Sequence, residues 1–190
     1  MSSSRPSQRE YVRCQERGLT LIELLVALTI AAILVSAAIP SFSWSIASYR
    51  VSGQINSWIG DMQYARAEAI KRGQTVTLCI SANGTSCSTA TTNWQTGWIL
   101  FADANGNATV DAGEAVLRVQ GLLTGGNTLS ADNNVRAVTF NRDGFAVGLP
   151  AGNVTLTLHD PTNASGLTRC VALTTVGRTS VQRSGTGNCT

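Results

Sequence analysis

Arg17-Gly18-Leu19-Thr20-Leu21-Ile22-Glu23, with the apolar run that continues from it to Ile39, decides how the chain is read. One carboxylate, Glu23, stands near the start of an otherwise uncharged segment dominated by Leu, Ile, Val and Ala. At a helical rise of about 1.5 Å per residue, Leu19 to Ile39 spans roughly 30 Å, the thickness of one bilayer core. Neither Pro nor Gly interrupts the run, and the next Pro is Pro40. The pattern predicts a continuous transmembrane helix. A charge within such a span costs about 2.5–3.5 kcal/mol at its centre and less near an end, which makes Glu23 a functional candidate. A secretory signal peptide would have a shorter apolar core and a small-residue cleavage site, for which Ser36-Ala37-Ala38 could pass, but this run is too long for one.

The residues around Glu23 resemble the type III signal of type IV prepilins and pseudopilins. In that family a membrane peptidase cuts after the Gly and methylates the new amino terminus, and the fifth residue of the mature chain is Glu. The resemblance implies a cut between Gly18 and Leu19, a methylated amine on Leu19 and an assembly role for Glu23. Leu19 stands where the family usually has Phe. In a filament of side-by-side helices, Glu23 would pair with the positive amine of a neighbouring subunit, so that two costly charges offset one another. The implied partners are other pilins or pseudopilins through the N-terminal helix, the prepilin peptidase and the inner membrane.

The expected organisation is a cleaved leader at 1–18, a transmembrane helix at 19–40, an amphipathic continuation at 41–73 and a β-rich periplasmic head at 74–190. The leader carries Arg5, Arg9, Arg13 and Arg17 against Glu10 and Glu16, so of 14 basic and 11 acidic residues 10 and 9 remain, a net charge of +1. The mature chain is not polybasic. The leader's positive balance keeps the amino end cytoplasmic and sends the rest across the membrane. Loss of Cys14 with the leader leaves Cys79, Cys87, Cys170 and Cys189, an even number suited to an oxidising compartment. Three connectivities exist on paper. The local pairing, Cys79 with Cys87 and Cys170 with Cys189, closes two short Gly-containing loops and is the favoured one, worth about 2–4 kcal/mol each. The spacings are not those of paired C-x2-C zinc knuckles.

From Ser41 to Arg72 a helix continues the span. Val51, Ile55, Trp58, Ile59, Met62, Ala65 and Ala69 recur at three- and four-residue spacing, while Gln54, Ser57, Asp61, Glu68 and Arg72 mark a polar side. Pro40 is expected to bend the helix near the membrane surface. Gly73 after Lys71-Arg72 stops it. Beyond Gly73, strands are expected at 75–81, 98–102, 115–120, 135–141, 145–147, 154–159, 169–175 and 179–183, with hairpin turns at Asn141-Arg142-Asp143-Gly144 and Val176-Gly177. A Ser/Thr-rich loop from Ser81 to Asn93 is expected at the surface. The fold class is α+β, a long N-terminal helix packed on antiparallel sheet.

Three later stretches resemble the GspH/FimT family of minor pseudopilins and minor pilins: Met62-Gln-Tyr-Ala-Arg-Ala-Glu-Ala69, Thr77-Leu-Cys-Ile80, and Gly97-Trp-Ile-Leu-Phe-Ala-Asp103 followed by Asp111-Ala-Gly-Glu114. The likeness covers nearly the whole mature chain. It implies a pilin-like, β-sandwich-like head and a structural subunit at or near the tip of a type IV pilus or type II secretion pseudopilus. Some members bind DNA for natural transformation through a Gly-Arg-x-Arg motif. The matching stretch here is Gly177-Arg178-Thr179-Ser180, in which Ser180 replaces the second Arg and Arg183 could substitute across the hairpin. Arg169, Arg178 and Arg183 are thus the candidate contacts to double-stranded DNA, with the few, salt-sensitive phosphate contacts that three cations allow.

Asp103, Asn105, Asn107, Thr109, Asp111 and Glu114 follow the spacing of a calcium loop, although Ala108 stands where such loops place Gly. A polar hairpin whose Asp and Asn side chains bond their own backbone accounts for the same residues without a metal. No cofactor is implied. The single His, His159, has no nucleophile motif around it, and no phosphate loop or dinucleotide fingerprint occurs, so the chain does not read as an enzyme. Trp94 and Trp98 read as core or rim packing.

Overall fold

The computed structural model describes residue 18 and residues 20–189, with the side chains at 37–41 and 151 excepted. It divides into two compact units, residues 1–42 and 43–190. Helix α1 (Leu21–Arg72) is followed by nine strands: β1 (Val76–Ile80), β2 (Trp98–Ala102), β3 (Val116–Gln120), β4 (Thr128–Ala131), β5 (Ala137–Phe140), β6 (Ala146–Val147), β7 (Asn153–His159), β8 (Arg169–Thr174) and β9 (Thr179–Arg183). They form two antiparallel sheets, one in the order β3-β2-β1-β5-β6 and the other β4-β7-β8-β9. Pro40 lies among the residues whose side chains are not described, so its expected bend remains outside the structure.

The core of the larger unit forms where α1 meets the facing sides of both sheets. Val51, Ile55, Trp58, Met62, Ala65 and Ala69 supply one buried helical stripe. Val76, Leu78 and Ile80 come from one sheet, and Val154, Leu156, Leu158, Val171 and Leu173 from the other. Trp58 meets Trp94 edge to face, with ring centroids 6.3 Å apart. Each large side chain removed from water in this way stabilises the fold by about 1.5–3 kcal/mol. The helix ends at Gly73, whose φ of +65° suits a residue without a Cβ.

Strands β1 and β2 are buried on both faces, which alternation alone would not produce. Their outer sides place Cys79 opposite Ile99 and Thr77 opposite Phe101. Cys79, Ile99 and Phe101 form a second small core, closed by Cys87, Val110 and Ala137. The loop from Ser81 to Asn93 therefore covers a sheet face as well as meeting solvent, and the Cys79–Cys87 disulfide holds it there. A second disulfide joins Cys170 in β8 to Cys189.

Two expectations are corrected. Asp61 and Glu68, read as marks of the polar side of α1, are buried at 3% and 7% exposure. Asp61 is stabilised there because Trp98 Nε1 donates to Oδ2 at 2.8 Å and Arg118 donates to Oδ1 at 2.7 Å, while Arg118 also lies over the Tyr64 ring. Glu68 accepts from Arg72 and Lys71 within the last turns of α1. The hydrogen bond from Arg72, then that from Lys71, holds its carboxyl below the usual range. The other correction is β4, an edge strand in a stretch expected to be loop. Only Leu129 of its four residues is buried, and Gln95 Oε1 accepts the Leu129 amide from outside the sheet.

Asp61→Ala is expected to lower the unfolding free energy of the 43–190 unit by about 2–4 kcal/mol, because it orphans the buried indole N–H of Trp98 and one partner of Arg118. Urea unfolding measures this, and an unchanged midpoint would contradict the assigned role. Asp160 gives a second test. Burial pushes its carboxyl up, but hydrogen bonds from the Thr162 side chain and from the Thr162 and Ala164 amides outweigh burial and hold it low. A carboxyl lowered by folding contributes stability that is present above its unfolded value near pH 4 and lost as pH falls through the lower folded value. Asp160→Ala should therefore flatten the acid limb of a stability-versus-pH curve while leaving the slope near neutrality unchanged.

Candidate functional site

At the amino end the chain builds a helix start before anything else. Thr20 Oγ1 accepts from the Glu23 amide at 3.3 Å, and Thr20 O accepts from the Leu24 amide at 3.1 Å. Thr20 is the N-cap of α1, and Thr-x-x-Glu is capping-box spacing, a local role for these residues that the reading of Glu23 as an assembly acid overlooked. Glu23 also lies in the first turn, where the helix dipole favours an anion. Its carboxylate has no hydrogen-bond or ion-pair partner among the described residues. Gly18 is exposed, while Arg17 and Leu19, and with them the cleavage and methylation positions, lie outside the described residues.

The side chains that follow are apolar and open. Leu21 is 78% exposed, and Ile22, Leu24, Leu25, Leu28, Ile30, Ile33 and Leu34 are exposed around the whole circumference of the helix. So large an uncovered apolar surface marks a site of contact with lipid or with other chains. Among the described residues no helix is long and apolar enough to cross a membrane. Its side chains are described as far as Ser36, whereas the apolar sequence runs from Leu19 to Ile39.

The candidate DNA contacts do not gather into one patch. Arg169 turns onto its own neighbourhood, donating to Gly166 O at 2.9 Å and Thr168 O at 2.8 Å. Arg183 stands opposite Arg169 in the β8–β9 register, at the far end of β9 from Arg178. Five residue steps along the strand separate Arg178 from Arg183, roughly 17 Å, so Arg183 does not replace the missing second arginine beside Arg178. The hairpin tip is instead held by α1. Arg66 Nη1 donates to Gly177 O at 3.2 Å, and Gln63 Nε2 to Thr179 Oγ1 at 3.1 Å.

The 103–114 loop is knitted by its own acceptors. Asp103 accepts the amides of Gly106, Asn107 and Ala108 and the Thr77 hydroxyl. Glu114 accepts the amides of Ala104 and Asp111. Asp111 Oδ2 receives both the Asn105 and the Asn107 side-chain amides, in that order of effect, and its carboxyl is held below the usual range. Thr109 joins through its amide, which donates to Asn107 Oδ1. Asp103 and Glu114 thus cap backbone amides and Asp111 ties down two Asn side chains, and among the described residues no group of His, Cys, Asp and Glu is placed to hold a metal ion. His159 meets Thr168 Oγ1 through Nδ1 at 3.1 Å. Trp94 and Trp98 are fully buried, each donating its indole N–H, to Val135 O and to Asp61.

Comparison with known proteins matches residues 54–177 to the family described as type II transport protein GspH, and residues 13–39 to the prokaryotic N-terminal methylation motif. The pilin-like protein PilA1 of Thermus thermophilus is 29% identical over 172 residues, covering 85% of this chain and 96% of that one. In fold, the chain is similar to the type IV minor pilin FimU of Pseudomonas aeruginosa, with a TM-score of 0.54 and 20% identity over 70% of this chain and 87% of that one. It is also similar to the minor pseudopilin EpsH of the type 2 secretion system of Vibrio cholerae, with a TM-score of 0.50 and 13% identity over 72% and 98% of the two chains. With its α+β pilin-like fold, a family match from the middle of α1 to the tip of the β8–β9 hairpin and a methylation motif ahead of it, the chain belongs to the GspH family.

Proposed function

We propose that this chain is a minor pilin or pseudopilin, a structural subunit that enters a type IV pilus or a type II secretion pseudopilus through its N-terminal helix. The observation that carries the reading is Glu23, a carboxylate with no partner among the described residues, set at the head of a helix whose apolar side chains are uncovered on every side. Family membership, the methylation motif and the likeness to a minor pilin and a minor pseudopilin support it. In this reading the prepilin peptidase cuts between Gly18 and Leu19 and methylates the Leu19 amine. Before the cut the chain stands in the inner membrane by one span, with the Arg-rich leader on the cytoplasmic side and the head in the periplasm. The periplasm suits the two disulfides.

Assembly then exchanges lipid for neighbouring helices. A carboxylate in that apolar bundle requires a counter-charge, and the amine of an adjacent subunit's Leu19 supplies one four residues from the acid on the same kind of helix. The acid would set axial register as well as neutralise charge, since a one-residue slip would leave both groups unpaired. Capture of double-stranded DNA by the head has less support. Arg169 is committed to carbonyl oxygens, and Arg178 precedes β9 whereas Arg183 ends it.

Glu23→Ala is expected to leave processing, membrane retention and the unfolding midpoint of the head unchanged. Its recovery in sheared filaments should fall by roughly a hundredfold or more, the scale of breaking an ion pair in apolar surroundings. Quantitative immunoblotting of sheared and membrane fractions reads both quantities, and wild-type incorporation of the variant would refute the assembly role.

A further inference from the structure

On the outer face of β1 and β5, between the loop from Ser81 to Asn93 and the 103–114 loop, lies a cavity of about 230 Å³. The Cys79–Cys87 disulfide and Ala137 line it from the sheet, Ser88 and Thr89 from one loop, Thr109 from the other, and Arg136 from the position ahead of β5. Sites for drug-sized molecules run to roughly 300–1,000 Å³, so this volume suits a single small ring. Its polar groups are uncommitted. The Arg136 guanidinium and the hydroxyls of Ser88, Thr89 and Thr109 have no hydrogen-bond or ion-pair partner among the described residues. No carboxylate is among the residues that line it. Asp103, close by in sequence, is fully buried, and Asp111 is occupied by Asn105 and Asn107.

The walls of the cavity are fixed by the fold. Ile80 holds two of them, since its O accepts the Ser88 amide at 2.7 Å and its N donates to Arg136 O at 3.1 Å. The disulfide secures the residue before Ser88, and Asn83 Oδ1 accepts the Thr85 and Ser86 amides ahead of it. On the other side Ala108, at a φ of +57°, donates its amide to Asp103, and the Thr109 amide donates to Asn107 Oδ1. Groups held in this way bind a ligand with little further ordering cost. A guanidinium fork takes a carboxylate through two parallel hydrogen bonds, and a hydroxyl, both donor and acceptor, matches another hydroxyl. An Asp or Glu side chain of a partner protein would satisfy Arg136 and leave three hydroxyls unmet. A hexuronate carries a carboxylate and several hydroxyls on one ring, and its C–H face suits the apolar surface of the disulfide and Ala137.

We propose that this cavity binds a uronic acid ring of an acidic saccharide. Arg136 holds the carboxylate, Ser88, Thr89 and Thr109 pair with ring hydroxyls, and the ring lies over the Cys79–Cys87 disulfide. The head thereby recognises acidic polysaccharide, a function separate from assembly through the N-terminal helix and independent of it.

Saturation-transfer NMR of the full chain, held in a detergent without a sugar headgroup, tests this with D-galacturonate and D-glucuronate as probes and D-galactose as the neutral counterpart. The expected result is uronate binding with a Kd of about millimolar order, the scale for a ligand of this size. Galactose, which offers Arg136 no carboxylate, should bind roughly tenfold more weakly or worse. Arg136→Gln should bring both uronates down to the galactose level, Arg136→Lys should retain part of the difference, and Thr109→Val should weaken all three sugars. Arg136 and Thr109 are exposed, so these variants are expected to keep the wild-type unfolding midpoint. Absence of uronate binding, or binding unchanged in Arg136→Gln, would overturn the proposal. Displacement of uronate by equimolar inorganic phosphate would assign the cavity to a free anion, and equal binding of N-acetyl-aspartate amide would assign it to a protein carboxylate. Either outcome overturns the saccharide.

Discussion

The apolar stripe of α1 from Val51 to Ala69 is the constraint on which the head depends. Two antiparallel sheets each present an inner apolar face, and the stripe fills the space between them with Trp58 and Met62 at its centre. Neither sheet could keep that face in water alone. Packing of this kind leaves no room for an uncompensated charge, yet Asp61 lies within it. The indole of Trp98 and the guanidinium of Arg118 satisfy its two oxygens and fasten α1 to β2 and β3. Apolar burial sets how closely the helix and the sheets approach, and the carboxylate restricts the register in which they do so.

The two units of the chain answer the same physical demand in different ways. In residues 43–190 a helix stripe finds its cover within the chain, so the head is self-sufficient. In the first unit the apolar side chains lie all round the helix, and their cover has to come from other molecules. Local devices keep the self-sufficient part compact at modest size. A disulfide holds one loop over the outer face of β1 and β2, another ties the segment after β9 back to β8, and the 103–114 loop binds its own backbone and side-chain amides with three carboxylates.

Much of this was legible in the sequence because it is written in local periodicity. The stripe of α1 follows three- and four-residue spacing, and β2 and β9 occupy the residues expected for them, 98–102 and 179–183. What escaped was set by distant partners. Asp61 looks like a solvent-facing acid until β2 brings Trp98 to it, 37 residues away. Strand β4 has only Leu129 and the small, half-buried Ala131 as inward apolar residues, so alternation was too weak to mark it, and its existence depends on pairing with β7. The register of β9 put Arg183 opposite Arg169, a fact of pairing that no motif around Arg178 contains. At the amino end, the spacing from Thr20 to Glu23 already held an N-cap signal, obscured by the louder one of a charge in an apolar run.

The central claim, that this chain is processed to enter a filament by its N-terminal helix, is tested most directly by mass spectrometry of the amino-terminal peptide of the chain purified from membranes. The account predicts a peptide that begins at Leu19 and carries one methyl group on its amine, with Glu23 as its fifth residue. A chain that retains residues 1–18, or one that begins after Ala38 as a cleaved secretory signal would leave it, would contradict the account.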